Sequence, residues 1–306
     1  MSEIIQDQWA QWLLQRRHGG DAEQQRTMLH TLAGVRDQVL QHASVATGET
    51  VLDVGAGDGL IAFGALPLVG EGGQVIFSDI SQDLLDHCQA LAGHMGLQDR
   101  CRFVRASADD LAPFGDASVD VVTTRSVLIY VAAKQQAFND FFRVLKPGGR
   151  ISLFEPINRF AFPEPAHLFF GYNVAPIAEI VAKVQAGYGR LTKGTDSAYG
   201  PMMDFGEYDL LRFAEKAGFD EVHLETQVKI EPRKPASWDG FVQSAPNPLA
   251  PTLAEALQAA LTPAEAERFT SHLRPLVEQG RGTERAALAY LWAIKRESAS
   301  PAGERT

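Results

Sequence analysis

Cysteine is scarce in this 306-residue chain, with Cys88 and Cys101 the only two. That excludes a disulfide framework and a multi-thiolate metal site. Cys88 follows Leu84 and Leu85 at helical spacing, and Cys101 alternates with Phe103 at the start of a strand-like run. Both read as packed core side chains. His87 and His94 could share a helix face, but no carboxylate stands at ligand spacing, so no metal is expected. Basic residues are also few: 28 Lys and Arg against 38 Asp and Glu leave a net charge of −10. No Lys/Arg cluster interrupts that balance, which argues against a nucleic-acid partner. No apolar run is long enough for a membrane span. The opening Met1-Ser2-Glu3-Ile4-Ile5-Gln6-Asp7 lacks the basic and apolar regions of a signal peptide, and a cytoplasmic protein is expected. Nothing in the pattern sets an oligomeric state.

What the chain does have is glycine in one concentrated place. Val51-Leu52-Asp53-Val54-Gly55-Ala56-Gly57-Asp58-Gly59 reads as a buried strand running into a glycine turn, followed by an apolar helix. A second strand, Val75-Ile76-Phe77-Ser78-Asp79, ends in an acid 20 residues past Gly59. Glycine permits positive φ and lets a ligand approach the backbone. An acid at the end of the second strand can accept hydrogen bonds from ribose hydroxyls. The spacing is G-x-G-x-G, with Asp53 two residues ahead of the first glycine, whereas a dinucleotide fingerprint reads G-x-G-x-x-G. The difference points away from NAD and toward an adenosyl ligand without a pyrophosphate.

Strands and helices alternate from Thr50. Strands are predicted near 50–54, 74–79, 101–105, 119–123 and 149–154, with helices near 59–68, 81–94 and 133–145. Near-continuous apolar strands, each followed by a helix, imply a parallel sheet covered on both faces. Lys146-Pro147-Gly148-Gly149 reads as a turn into the fifth strand. Later come a helix at 207–217 and strands near 221–229 and 286–294. The expected fold class is α/β, a Rossmann-like, doubly wound, mostly parallel seven-stranded sheet. Residues 1–44 form an N-terminal helical segment, a packing element or lid carrying Trp9, Trp12 and Leu13 on one face. The expected core, 45–155, continues through 204–230 and a last strand at 286–296. Cap insertions occupy 156–203 and 231–285, and 297–306 reads as a disordered tail.

Polar or glycine-rich groups stand at five successive strand ends: Gly55–Gly59, Asp79, Ser107-Ala108-Asp109, Arg125 and Glu155. Ligands of open α/β sheets bind at those ends. The motif at 51–59, Asp79, Ser118-Val119-Asp120-Val121-Val122 and Leu145-Lys146-Pro147-Gly148-Gly149 together resemble the class I S-adenosylmethionine-dependent methyltransferases. The nearest pattern is the ubiquinone/menaquinone-biosynthesis type of small-molecule methyltransferase, over about residues 45–155. The resemblance implies S-adenosylmethionine as cofactor. Gly55, Ala56, Gly57 and Gly59 would lie against its methionine and ribose portion, and Asp79 would hold the ribose hydroxyls. Ile80 would meet the adenine face, Ala108 and Asp109 the adenine edge, and Arg125 the methionyl end; Asp53 is counted with this set. Ser107 departs from the pattern, since many relatives carry an acid there.

The implied reaction is direct displacement of the methyl group by a small-molecule acceptor. A base is needed only for a protonated nucleophile. Candidates are Glu155, His167 and Tyr172, with Tyr199 and Asp204 in the same region. The aromatic-rich insertions suggest a pocket for a mid-sized, partly apolar or aromatic metabolite, walled by Phe169, Tyr172, Tyr199 and Trp238. A helical cap packed on itself is the competing reading of those rings. Rival functions are an NAD-dependent oxidoreductase, disfavoured by the glycine spacing, and a non-catalytic adenosyl-binding module. An arsenic methyltransferase would need more cysteines.

Overall fold

The computed structural model describes residues 7–17, 22–191 and 200–296. Helix α1 (Gln8–Gln11) runs into a π-turn over Trp12–Arg16, and α2 (Ala22–Ala43) follows. Then come β1 (Thr50–Val54), α3 (Leu60–Val69), β2 (Gln74–Asp79), α4 (Gln82–His94) and β3 (Cys101–Arg105). After them lie β4 (Val119–Arg125), α5 (Lys134–Val144) and β5 (Leu145–Pro156). A two-stranded hairpin, β6 (Leu168–Phe169) with β7 (Tyr172–Asn173), precedes α6 (Ala178–Leu191). The chain closes with α7 (Glu207–Ala217), β8 (Asp220–Pro232), α8 (Trp238–Gln243), α9 (Leu253–Ala260), α10 (Pro263–Glu278) and β9 (Thr283–Ile294).

The sheet has seven strands in the order β3-β2-β1-β4-β5-β9-β8. β1 lies between β2 and β4, parallel to both, with Val54 beside Ser78 on one side and Thr124 on the other. Its apolar residues are buried because both faces are covered, which explains a strand written without polar alternation. β9 reverses the direction. Lys295 N–H donates to Gly149 O (2.8 Å) and Ile157 N–H to Ala287 O (2.8 Å), so numbering rises along one strand as it falls along the other. The Lys146–Gly149 segment differs from the turn the sequence suggested. It bulges within β5: Val119 pairs with Leu145, but Val121 already pairs with Arg150. Gly148, at φ +79°, supplies the left-handed residue that such a bulge needs.

The chain divides into two compact units. Of the described residues, the sheet unit takes in 35–155, 206–226 and 289–296; the insertion unit takes in 7–17, 22–34, 156–191, 200–205 and 227–288. Caps define the helices of both. Ser81 accepts from Leu84 N–H (3.1 Å) at the start of α4. Thr252 with Glu255 and Thr262 with Glu265 form capping boxes ahead of α9 and α10. The insertion unit has its own core, in which Phe169, Tyr172, Val184, Trp238, Leu253, Phe269 and Leu273 are buried together. Phe170 and Tyr172 each meet Phe241 edge to face, at 6.0 and 5.8 Å between centroids. α1 belongs to this unit, where Trp12 Nε1–H donates to Ala245 O (2.9 Å). These rings therefore pack the insertion unit together. Phe169, Tyr172 and Trp238, expected as pocket walls, are interior residues of that core, and Tyr199 lies outside the described residues.

Candidate functional site

The glycine turn leaves β1 at the centre of the sheet. Gly55, Gly57 and Gly59 all adopt positive φ (+69°, +58° and +84°), which side chains with a Cβ rarely tolerate. Two hydrogen bonds seat the turn, because Gly55 N–H and Ala56 N–H both donate to Ser78 O at 2.7 and 2.9 Å. Close packing adds a second demand for glycine. A Cβ on Gly59 would come within 2.5 Å of the Phe63 ring, and one on Gly55 within 2.2 Å of Val127 Cγ2. Two of the three glycines thus accommodate neighbours as well as an unusual backbone.

Asp79 sits beside this turn at the end of β2, 7 % exposed. One carboxylate oxygen accepts from Gly57 N–H (2.9 Å) and the other from Ser81 N–H (2.9 Å), so strand end, glycine turn and the start of α4 share one anion. Ile80 follows it and is 40 % exposed, an apolar surface at the mouth of the sheet. The Ser107–Asp110 turn is adjacent, tied to β2 by Ala106 N–H donating to Asp79 O (3.1 Å). Ser107 Oγ donates to Asp109 Oδ1 (2.5 Å), so the serine that stands in place of an acid orients the acid two residues on. Ala108 is buried and Asp109 half-buried. Arg125, half-buried at the end of β4, acts electrostatically on Asp53.

Two expected site residues turn inward. Asp53 is 2 % exposed, and both its oxygens are engaged: Oδ1 accepts from Thr123 Oγ1–H (2.9 Å) and Oδ2 from Ala62 N–H (3.1 Å). It braces the first turn of α3 against β4, a good position for a carboxylate near a helix N-terminus, and does not reach toward a ligand. Burial pushes its carboxyl up to about 7, with Thr123 opposing the rise. Glu155 is fully buried. Its Oε1 accepts from Val127 N–H and Leu128 N–H (both 2.9 Å) and its Oε2 from Ile129 N–H (3.3 Å). Burial again lifts the carboxyl to about 7, against the pull of those backbone donors and of Lys134. A carboxylate occupied in this way is a poor general base.

The other base candidates belong to the insertion unit. His167 is exposed, and its backbone carbonyl accepts from Val174 N–H (2.8 Å). Tyr172 is 1 % exposed, with the Arg233 guanidinium 5.5 Å from its ring centroid, and burial holds its phenol above the ordinary range. It is a core ring, not an accessible base.

An adenosyl ligand with a polar amino-acid end fits the sheet unit's residues. Ser78 Oγ, Thr124 Oγ1 and Asp58 Oδ1 are buried at these strand ends without a hydrogen-bond partner. Buried polar atoms ordinarily find one. Together with the glycine turn, Asp79 and the exposed Ile80, they suit a ligand that is polar at one end and flat and apolar at the other. Sequence reasoning missed Thr123, Val127 and Lys134, which shape the site from the neighbouring strand and loop. Only Thr123, a polar residue directly after the apolar Val121-Val122 pair, left a signal.

A Rossmann-like sheet in this order, with a glycine turn and an acid at the next strand end, defines the S-adenosylmethionine-dependent methyltransferase class. The comparisons with known proteins make the assignment narrower. The profile of the ubiE/COQ5 methyltransferase family matches residues 28–228, more than half of the chain, and the protein belongs to that family. It is an enzyme that uses S-adenosylmethionine to methylate a small molecule. Among its relatives is the ubiquinone/menaquinone biosynthesis C-methyltransferase UbiE of Cronobacter sakazakii, 30% identical over 189 residues, 59% of this chain and 70% of that one. The protein of the same name from Pseudoalteromonas translucida is 33% identical over 157 residues, 49% of this chain and 61% of that one. Similar solved structures include YcgJ of Bacillus subtilis (TM-score 0.52, 18% identity, covering 88% of this chain and 100% of that one). The [4+2]-cyclase SpnF is another (TM-score 0.51, 18% identity, covering 87% and 81%). At that identity the likeness is one of fold, and a cyclase among the neighbours illustrates that fold alone does not set the reaction.

Proposed function

We propose that this enzyme methylates a mid-sized, partly apolar or aromatic metabolite, with the cofactor held on the sheet unit by Gly55, Ala56, Gly57, Gly59, Asp79, Ile80, Ala108, Asp109 and Arg125. The observation that carries this reading is the seating of the glycine turn on Asp79, through Gly57 N–H to its carboxylate at 2.9 Å. When bound, S-adenosylmethionine supplies a methyl group on a sulfonium. The chain's own task is to align the reactants, and alignment can account for about 7–11 kcal/mol of barrier reduction. The relatives named as C-methyltransferases of ubiquinone/menaquinone biosynthesis support an electron-rich aromatic ring, methylated at carbon, as the acceptor class. Such an acceptor, as its phenolate, is itself the nucleophile. That suits a site in which Glu155 is clamped to backbone and Tyr172 lies in a core.

We place the reaction in the cytoplasm. Both cysteines are free and buried, as a reducing compartment favours. No helix among the described residues is long and apolar enough to cross a membrane.

Asp79→Ala removes hydrogen bonds to a charged group, each worth about 1.5–3 kcal/mol. Calorimetry should show S-adenosylmethionine affinity reduced at least about tenfold in a folded protein. Unchanged affinity would remove Asp79 from the site. The substrate class is tested by release of S-adenosylhomocysteine with hydroxylated aromatic rings of increasing apolar substitution. Turnover that ignores the ring, or that needs an amine acceptor, would overturn it.

A further inference from the structure

Glu155 is 0 % exposed, yet it is not isolated: one carboxylate holds the backbone N–H groups of Val127, Leu128 and Ile129. The segment it holds begins at Ser126, a non-glycine residue at φ +55°, whose N–H donates to Phe154 O (2.8 Å). It ends where Lys134, 3 % exposed, donates from Nζ to Val131 O (2.8 Å). A buried carboxylate from the end of β5 thus takes this loop's donors, and a buried ammonium from the start of α5 takes an acceptor. Charge-assisted bonds of this kind are strong and directional. The loop is fixed more firmly than a surface connection requires.

What the clamp places is Val127. Its Cγ2 lies 2.2 Å from where a Cβ on Gly55 would stand, so the valine occupies the room the first glycine of the turn leaves open. Gly55 is held from its other side by Ser78 O, at 2.7 Å from its nitrogen. The turn therefore has a wall on each side, and the backbone N–H groups of the Val127 side are held by Glu155.

We propose that Glu155 is a positioning residue for methyl transfer: by clamping residues 127–129 it seats Val127 against Gly55 and so sets the shape of the cofactor turn. The proposal rests on the reading that the Gly55–Gly59 turn holds S-adenosylmethionine. Glu155 acts through Val127 and touches no reacting atom. A base role would require the carboxylate to take a proton while all its present partners are donors, which would break the clamp it forms.

The test compares Glu155→Gln, Val127→Ala and the double variant with the wild type, by S-adenosylmethionine calorimetry, steady-state kinetics and a thermal melt. In Glu155→Gln the amide oxygen still accepts, but the NH2 group opposes Ile129 N–H, so the clamp loosens without removing bulk. The expected result is a rise of about tenfold in cofactor Kd and KM, with a smaller fall in kcat at saturating cofactor. Val127→Ala leaves the clamp intact and should weaken cofactor binding similarly. The double variant should be little worse than Glu155→Gln alone, since the two residues act along one path. Unchanged cofactor affinity in both single variants overturns the proposal. So does a loss of about a hundredfold in kcat in Glu155→Gln with affinity intact, the signature of a base. Multiplying effects in the double variant would also overturn it. If Glu155→Gln lacks a cooperative melt, Val127→Ala carries the decision alone. A wild type that does not bind S-adenosylmethionine at all would instead sink the parent reading, and is distinguishable because no variant enters that observation.

Discussion

The two units bury different kinds of residue. In the sheet unit Asp53, Ser78, Asp79, Ser81, Thr123, Thr124, Lys134, Asp140, Ser152 and Glu155 are all buried, and four of them are carboxylates. The buried polar residues described in the insertion unit are Asn247 and Thr252, neither of them charged. Its interior is instead a set of rings and aliphatic side chains around Phe169, Tyr172, Trp238 and Phe269. Burying a charge is costly unless each lone pair finds a donor. The sheet unit meets that cost with backbone N–H groups: Ala62 on Asp53, Gly57 and Ser81 on Asp79, and three successive residues on Glu155. Each of these bonds fixes a strand end or a turn at the expected cofactor site. Polar burial marks where position matters to chemistry, and apolar burial marks where mass and rigidity suffice.

That contrast breaks most visibly in the insertion unit. Phe169→Ala should destabilise the protein by about 3–5 kcal/mol, the usual cost of deleting a buried ring. A thermal melt should shift strongly while cofactor affinity in the folded fraction stays unchanged. Equal stability with lost turnover would return Phe169 to the role of a substrate contact.

Next in size is Gly55→Ala in the sheet unit. A left-handed residue with a Cβ costs about 1–2 kcal/mol, and the overlap with Val127 adds about 1–3 kcal/mol of overpacking. Calorimetry should find cofactor binding severely weakened. Wild-type binding would mean that the turn tolerates filling and is no cradle.

Smaller still is the pH dependence contributed by Asp53. Its carboxyl is raised in the folded state to about 7, chiefly by burial, from an unfolded value of about 4. Between those values the folded protein binds the proton and the unfolded chain has released it, so stability falls as pH rises. The contribution is fully present below about pH 4 and gone above about pH 7, with a limiting slope of about 1.4 kcal/mol per pH unit. Asp53→Asn can still accept from Ala62 N–H and donate to Thr123 Oγ. Urea unfolding at pH 5, 6 and 7 should therefore show the variant gaining on the wild type as pH rises. A constant difference would mean that Asp53 is ionised throughout the range.

The sheet was largely legible in the sequence because its strands are unusually plain. The runs at 50–54 and 74–79 coincide with β1 and β2, since parallel strands inside a covered sheet are largely apolar, and the run at 101–105 coincides with β3, an edge strand whose exposed Arg102 and Arg105 stand among less exposed residues. The bulge at Lys146–Gly149 was not legible, because a proline-glycine pair signals a turn whether the strand begins after it or passes through it. The roles of Asp53 and Glu155 were hidden for a different reason. Their partners stand 70 residues away at Thr123 and 26 to 28 away at Ile129, Leu128 and Val127, so only the folded register reveals them. The rings of the insertions looked alike as pocket or as core. Phe169 and Tyr172 sit on a tight hairpin whose other contacts, Phe269 and Phe241, come from much later in the chain.

The most direct test adds S-adenosylmethionine to the wild-type enzyme and follows amide hydrogen exchange by residue. Protection should rise at Gly55–Gly59, at Ile80 and Ser81, and across Ala106–Asp110, with the buried hairpin at 168–173 unchanged. Protection confined to the insertion unit, with the glycine turn exchanging as before, would contradict the assignment of the cofactor to the sheet unit.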